Sequence, residues 1–247
     1  MLSNIRAVIF YFGYSIFTIL QGSLGLLIAV CLPPKLRNDY IALWCRTVLW
    51  WLKVTCGVTH TVEGDIPKGT FVLAGNHQSP WETIYLQFFI SPVSTVLKKE
   101  LLKIPFFGWA MAMMNPIAIN REDGRGAAKQ VLKEGKEHIE SGFSVLIFPE
   151  GTRQSVGKLG RFNRGAANLA VAAKAPILPF AHNAGKYWPA KALAKTPGNI
   201  RFIVGPVMHP EEMTARELNQ KLELWVQQAT NELQGTASDV AASDTQD

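Results

Sequence analysis

Acidic side chains are missing from one long stretch of this 247-residue chain: none lies between Glu150 and Glu211. Nine basic residues fall inside it: Arg153, Lys158, Arg161, Arg164, Lys174, Lys186, Lys191, Lys195 and Arg201. Such an uncompensated block attracts polyanions through its summed field, so phosphate-bearing substrates, anionic bilayer surface and nucleic acid are the candidates. Cysteine is scarce, with only Cys31, Cys45 and Cys56. An odd count without ligand spacing excludes a disulfide framework and a cysteine metal site, and fits a reducing compartment. No Gly-x-Ser-x-Gly elbow occurs, which disfavours a serine hydrolase. No nucleic-acid signature occurs either, which turns the basic block towards lipid or small phosphates.

Charge of either sign is absent between Arg6 and Lys35. That run is long enough to cross a bilayer, which takes about 20 apolar residues. It is too long for a signal peptide, and no small-residue cleavage site follows it. Gly13 and the group Gln21-Gly22-Ser23 interrupt it, which suits a tilted or bent helix that partly penetrates the bilayer. The next stretch, Tyr40 to Val58, mixes Trp44, Trp50 and Trp51 with aliphatics. Arg46 and Lys53 share one helical face there, a pattern of interfacial helices. Pro33-Pro34 turns one helix into the other. Residues 1–57 are thus expected as a membrane-associated helical hairpin.

From residue 58 the pattern alternates. Strands are expected at Thr59–Glu63, Thr70–Ala74, Ser94–Leu97, Pro116–Asn120, Phe143–Phe148, Pro176–Ala181 and Ile200–Val204. Helices are expected at Trp81–Phe89, Ala127–Ser141, Gly165–Lys174 and Glu211–Leu233. The expectation is an α/β domain over 58–235, with a central, mostly parallel or mixed sheet flanked by helices. The Ala/Ser/Thr/Asp tail, 236–247, is expected to be disordered.

Two strand ends carry the chemistry. The first reads Asn76-His77-Gln78-Ser79-Pro80-Trp81-Glu82. Histidine is the side chain suited to proton transfer near neutrality, and a carboxylate behind it fixes its tautomer. Ser79-Pro80-Trp81-Glu82 fits a helix capping box equally well, and one carboxylate can hardly serve both roles at full strength. The second site is Phe148-Pro149-Glu150-Gly151-Thr152-Arg153. Gly151 permits close backbone approach, so its amide and that of Thr152 are candidate donors to an oxyanion or a phosphate. Thr152 adds a hydroxyl and Arg153 a planar cation suited to phosphate. Lys98-Lys99 and Arg121 place further cations after two other strands.

These blocks, in this order over roughly residues 70–180, resemble the glycerolipid acyltransferase family typified by 1-acyl-sn-glycerol-3-phosphate (lysophosphatidic acid) acyltransferase. The family's first motif is His, four residues, then Asp; His77 with Glu82 matches it with Glu in place of Asp. Ile117–Arg121 is similar to the second, with Ala118 where an aromatic is common, and Phe148–Arg153 matches the third in full. Ala175–Phe180, with Pro176 and Pro179, is similar to the fourth. The resemblance implies that His77 deprotonates the free sn-2 hydroxyl of a lysophospholipid, which attacks acyl-CoA or acyl-carrier protein as co-substrate, with no cofactor and no metal. It implies that Glu82 orients His77 and that a donor near Gly151 holds the oxyanion. Arg121, Arg153 and Lys99 are then implied to bind the acceptor's phosphate, with Glu150 on the glycerol or an arginine. It also implies an inner or cytoplasmic membrane location with the site facing the cytoplasm. The rival readings are acylation of another lysolipid, such as a lyso-ornithine lipid, or a non-catalytic protein that docks on anionic membranes.

Overall fold

A computed structural model describes residues 2–28 and 31–243, with no side chain described at 34, 35 or 236–243. The expected tail, 236–247, therefore lies outside the described side chains, and 244–247 outside the described residues altogether.

Two helices come first, α1 (Leu2–Ile28) and α2 (Pro34–Cys56). They pack as the expected hairpin, and the polar interruptions in α1 are what seal it. Gly13 leaves room for the Trp51 indole, which a Cβ there would overlap. The Trp51 N–H donates to Phe10 O at 3.2 Å. Tyr40 Oη donates to Gln21 O at 2.6 Å, and Gln21 Nε2 returns to Tyr40 O at 2.9 Å. The opposite face of α1 leaves Ile5, Val8, Phe12, Ile16, Leu20, Leu24 and Leu27 exposed. Among the described residues α1 is the one helix long and apolar enough to cross a membrane.

The remaining elements are β1 (Val58–Glu63), β2 (Val72–Gly75), α3 (Pro80–Phe89), β3 (Val93–Lys98), a 3-10 turn (Lys99–Lys103), α4 (Phe107–Ala112), β4 (Ile117–Ile119), α5 (Gly124–Glu140), β5 (Ser144–Ile147), α6 (Gly165–Ala173), β6 (Ile177–His182), α7 (Ala184–Tyr187), β7 (Gly198–Val204) and α8 (Ala215–Ser243). The last helix begins four residues later than Glu211, because Thr214 and Glu217 form its start. Thr214 N donates to Glu217 Oε2 and Glu217 N to Thr214 Oγ1, a reciprocal cap.

The seven strands form one mixed sheet in the order β1-β7-β6-β2-β5-β3-β4. Only the β6–β7 pair is antiparallel. β2, β5 and β6 are buried on both faces, as their unbroken apolar runs require of central parallel strands. Alternate residues feed two cores. Leu73, Leu146 and Leu178 face the side covered by α2 and α3. Val72, Val145 and Ile177 face the side covered by α6 and α8.

This topology sets up the site. β2, β5, β3 and β4 are neighbours and run parallel, so their carboxyl ends share one edge of the sheet. The loops leaving that edge begin at Asn76, Phe148, Lys99 and Asn120. All the chemistry-bearing motifs of the sequence issue from those four strands, the place where open α/β sheets bind ligands.

Candidate active site

His77 follows β2 by two residues and its ring stacks on Phe148, the residue after β5, with centroids 4.0 Å apart. Its Nδ1 lies 2.8 Å from Glu82 Oε1. The same oxygen accepts the amides of Gln78 (2.9 Å) and Ser79 (2.7 Å). Ser79 Oγ in turn accepts Trp81 N at 3.1 Å, which completes the capping box of α3. One carboxylate oxygen thus caps the helix and holds the imidazole, and the two roles that competed in the sequence are one arrangement. Glu82 is fully buried. Burial pushes its pKa up, but His182, His77 and the Ser79 amide outweigh that and hold it below the usual carboxylate range. An ionised Glu82 accepts, so Nδ1 of His77 carries the proton and Nε2 presents its lone pair.

The two motif loops are latched to each other through backbone. Glu150 Oε1 accepts His77 N at 2.7 Å and its Oε2 accepts Gly160 N at 2.6 Å. Gln154 N donates to His77 O at 2.7 Å. Glu150 therefore braces the two loops, and among the described residues it pairs with no arginine. Burial raises its pKa to about 7. In the unfolded chain its value is the ordinary one, near 4.5. Between those values the folded state holds a proton that the unfolded state has lost, so this group's part of the stability declines as pH climbs through that window. The thermal midpoint of the wild type minus that of Glu150→Gln is expected to fall from pH 5 to pH 8; a difference that rises contradicts the assignment.

Gly151 sits at φ 69°, and its amide is committed to Phe148 O at 3.0 Å. The turn aims that N–H back at the residue after β5, so of the two amides expected as oxyanion or phosphate donors the one at Gly151 is already bonded. The Thr152 amide has no such bond among the described residues. Gly151 O accepts Arg121 Nη1 at 2.5 Å, which ties the loop after β4 to the loop after β5.

A cavity of about 550 Å³ opens beside His77, within the range of small-molecule sites. Arg121, Gly151 and Arg153 line it, and so does Arg164 at the start of α6. Among the described residues none of these arginines makes an ion pair with a carboxylate. Apolar side chains complete the wall: Ile41, Trp44 and Cys45 from α2, and Phe107 and Met111 from α4. Lys99 does not reach the cavity. β3 ends at Lys98, which lines the wall, while Lys99 starts the 3-10 turn and is exposed. Thr152 and Glu150 also lie off the lining.

The model of the Acyltransferase family matches residues 57–183, just over half of the chain. The chain belongs to the Acyltransferase family. This acyltransferase is 46% identical over 235 residues to the 1-acyl-sn-glycerol-3-phosphate acyltransferase of Pseudomonas aeruginosa, covering 93% of this chain and 91% of that protein. It is 32% identical over 179 residues to a chloroplast 1-acyl-sn-glycerol-3-phosphate acyltransferase of Arabidopsis thaliana, with 71% of this chain and 49% of the relative covered. The crystal structure of the 1-acyl-sn-glycerophosphate (LPA) acyltransferase of Thermotoga maritima superposes with a TM-score of 0.78, at 24% identity, over 93% of this chain and 95% of that one. That likeness supports the fold, hairpin included, while the curated relative and the family match carry the class of chemistry.

Proposed function

We propose that this acyltransferase moves a fatty acyl group from a thioester of coenzyme A or acyl-carrier protein to the sn-2 hydroxyl of lysophosphatidic acid, making phosphatidic acid for phospholipid biosynthesis. One observation carries the reading: an oriented imidazole, His77 backed by Glu82, lines a cavity that joins an apolar wall to arginines that make no carboxylate ion pair among the described residues. The names of the relatives are consistent with it. His77 Nε2 takes the hydroxyl proton and the alkoxide attacks the thioester carbonyl. The tetrahedral adduct collapses, the C–S bond breaks, and the imidazolium returns the proton to the thiolate. Arg121 and Arg153 hold the acceptor's phosphate, and Arg164 extends the same cationic wall. The outward apolar face of α1 rests in the inner or cytoplasmic membrane, with the site on the cytoplasmic side, so that an insoluble acceptor reaches the cavity from the bilayer.

The test is a lysolipid panel in a membrane-fraction assay with labelled acyl-CoA and labelled acyl-carrier protein. Lysophosphatidic acid is expected to be the best acceptor. A hydrogen bond to a charged group is worth about 1.5–3 kcal/mol, so Arg153→Ala should raise KM for lysophosphatidic acid by roughly 10–100-fold. The same substitution should change KM far less for an acceptor without a phosphate monoester. Preference for a lyso-ornithine lipid in the wild type overturns the acceptor assignment and leaves the base assignment standing.

A further inference from the structure

His182 is a fully buried histidine at the end of β6, 105 residues beyond His77 in sequence. Three hydrogen bonds tie it to Asn76. Asn76 Nδ2 donates to His182 O at 2.8 Å, and His182 N donates to Asn76 Oδ1 at 3.0 Å. The His182 Nε2 atom lies 3.0 Å from Asn76 O. Because a carbonyl only accepts, Nε2 carries the proton. His182 Nδ1 accepts Ala184 N at 3.2 Å, so both ring nitrogens are committed and the ring is held neutral in one tautomer. Burial pushes its pKa down, which agrees with that state. Parallel stacking on Phe202 and Phe180 fixes the ring plane.

The pairing has a consequence for the catalytic loop. β2 and β6 run as a parallel ladder up to Gly75 and Phe180. At the next residue the side-chain amide of Asn76 takes over the pairing with the His182 backbone, and the chain leaves the sheet carrying His77. Among the described residues the second oxygen of Glu82 has no hydrogen-bond partner although it is buried. The His182 Nε2 atom lies 3.8 Å from that oxygen. Glu82 is thus flanked by two imidazoles: His77 on the oxygen that also caps α3, and His182 facing the free one.

We propose that His182 is a positioning residue for the His77–Glu82 pair, clamping Asn76 so that His77 enters the cavity in register and turning the positive edge of its Nε2–H towards the free oxygen of Glu82. It touches neither substrate and moves no proton. The inference rests on acyl transfer at His77, and the experiment separates the two. Initial rates are measured with acyl-CoA and lysophosphatidic acid for wild type, His77→Ala, His182→Phe and His182→Gln, with a thermal midpoint for each. Phenylalanine keeps the ring stacking and removes the N–H; glutamine restores a donor near the same place. Groups that orient the ligands of a metal site typically change activity by about 10–100-fold, and a group that orients a catalytic base by the same means is expected to act on the same scale. His182→Phe is expected to lose kcat by that factor with KM for either substrate within about twofold, and His182→Gln to recover most of it. Wild-type kcat in the folded phenylalanine variant overturns the proposal. So does an equal loss of kcat in both folded His182 variants. Should the phenylalanine variant not fold, His182→Leu, which also keeps an apolar body and removes the N–H that meets Asn76 O, takes its place: lost kcat at unchanged KM supports the proposal, and wild-type kcat overturns it. A wild-type enzyme with no transfer to any acceptor would instead sink the reading of the site itself.

Discussion

Replacing His77 with alanine is expected to lower kcat by about 10²–10⁴-fold, the contribution typical of a positioned general base. The geometry supports the upper part of that range. Nδ1 is bound to Glu82 and the ring is stacked on Phe148, so the imidazole is held in one orientation and one tautomer before substrate arrives. No other described histidine lines the cavity to substitute for it. The fold should survive, because the bonds made by the His77 backbone, from its N to Glu150 and from Gln154 to its O, do not involve the side chain. KM for either substrate and the membrane-bound fraction should stay near wild type. Steady-state rates on equal amounts of enzyme check this, and near-normal turnover would remove His77 from the mechanism.

Glu82→Gln carries the second large effect, and it should appear in two observables at once. The Oε1 atom of Glu82 accepts from His77 Nδ1 and from the amides of Gln78 and Ser79. An amide cannot be an anion, so the imidazolium that forms during proton transfer loses its counter-charge. The His77 tautomer is also no longer dictated. A fall in kcat of roughly 10²–10⁴-fold is expected, by analogy with carboxylate-to-amide changes behind other catalytic histidines. The same change weakens the cap of α3 and should cost about 0.5–2 kcal/mol of stability. Turnover and thermal midpoint measured on one preparation check both. A loss of midpoint alone would reduce Glu82 to a cap; a loss of turnover alone would free the cap from it.

The sequence made the core of this site legible because its signals are local. His77 and Glu82 are five residues apart, and Phe148–Arg153 is one continuous turn. The strands that carry them read as apolar runs, and their parallel pairing brings both ends to one edge. What was not legible is long-range or hangs on a single residue. Lys98 and Lys99 are adjacent, and only the end of β3 decides which of them lines the cavity. Gly151 invites an oxyanion role by type, yet its left-handed turn spends its amide on Phe148. His182 lies just beyond the fourth motif, Ala175–Phe180, which does not include it, and its partners Asn76 and Glu82 lie about a hundred residues earlier. The contribution of α2 to the cavity wall depends on how the hairpin docks, which no periodicity encodes. Cap and imidazole do not compete for Glu82, because the tight loop brings His77 Nδ1 and the amides of Gln78 and Ser79 to the same carboxylate oxygen.

The central claim is that the acceptor's own hydroxyl, deprotonated by His77, attacks the thioester directly. Single-turnover thiol release, followed with excess enzyme over labelled acyl-CoA, tests it most closely. Without lysophosphatidic acid no thiol should be released and no label should remain on denatured protein. Adding the acceptor should release thiol and form phosphatidic acid in equal amounts, and His77→Ala should abolish both together. A burst of thiol with label bound to the protein in the absence of acceptor would contradict the account, because it would mean a covalent acyl-enzyme and a nucleophile on the chain itself.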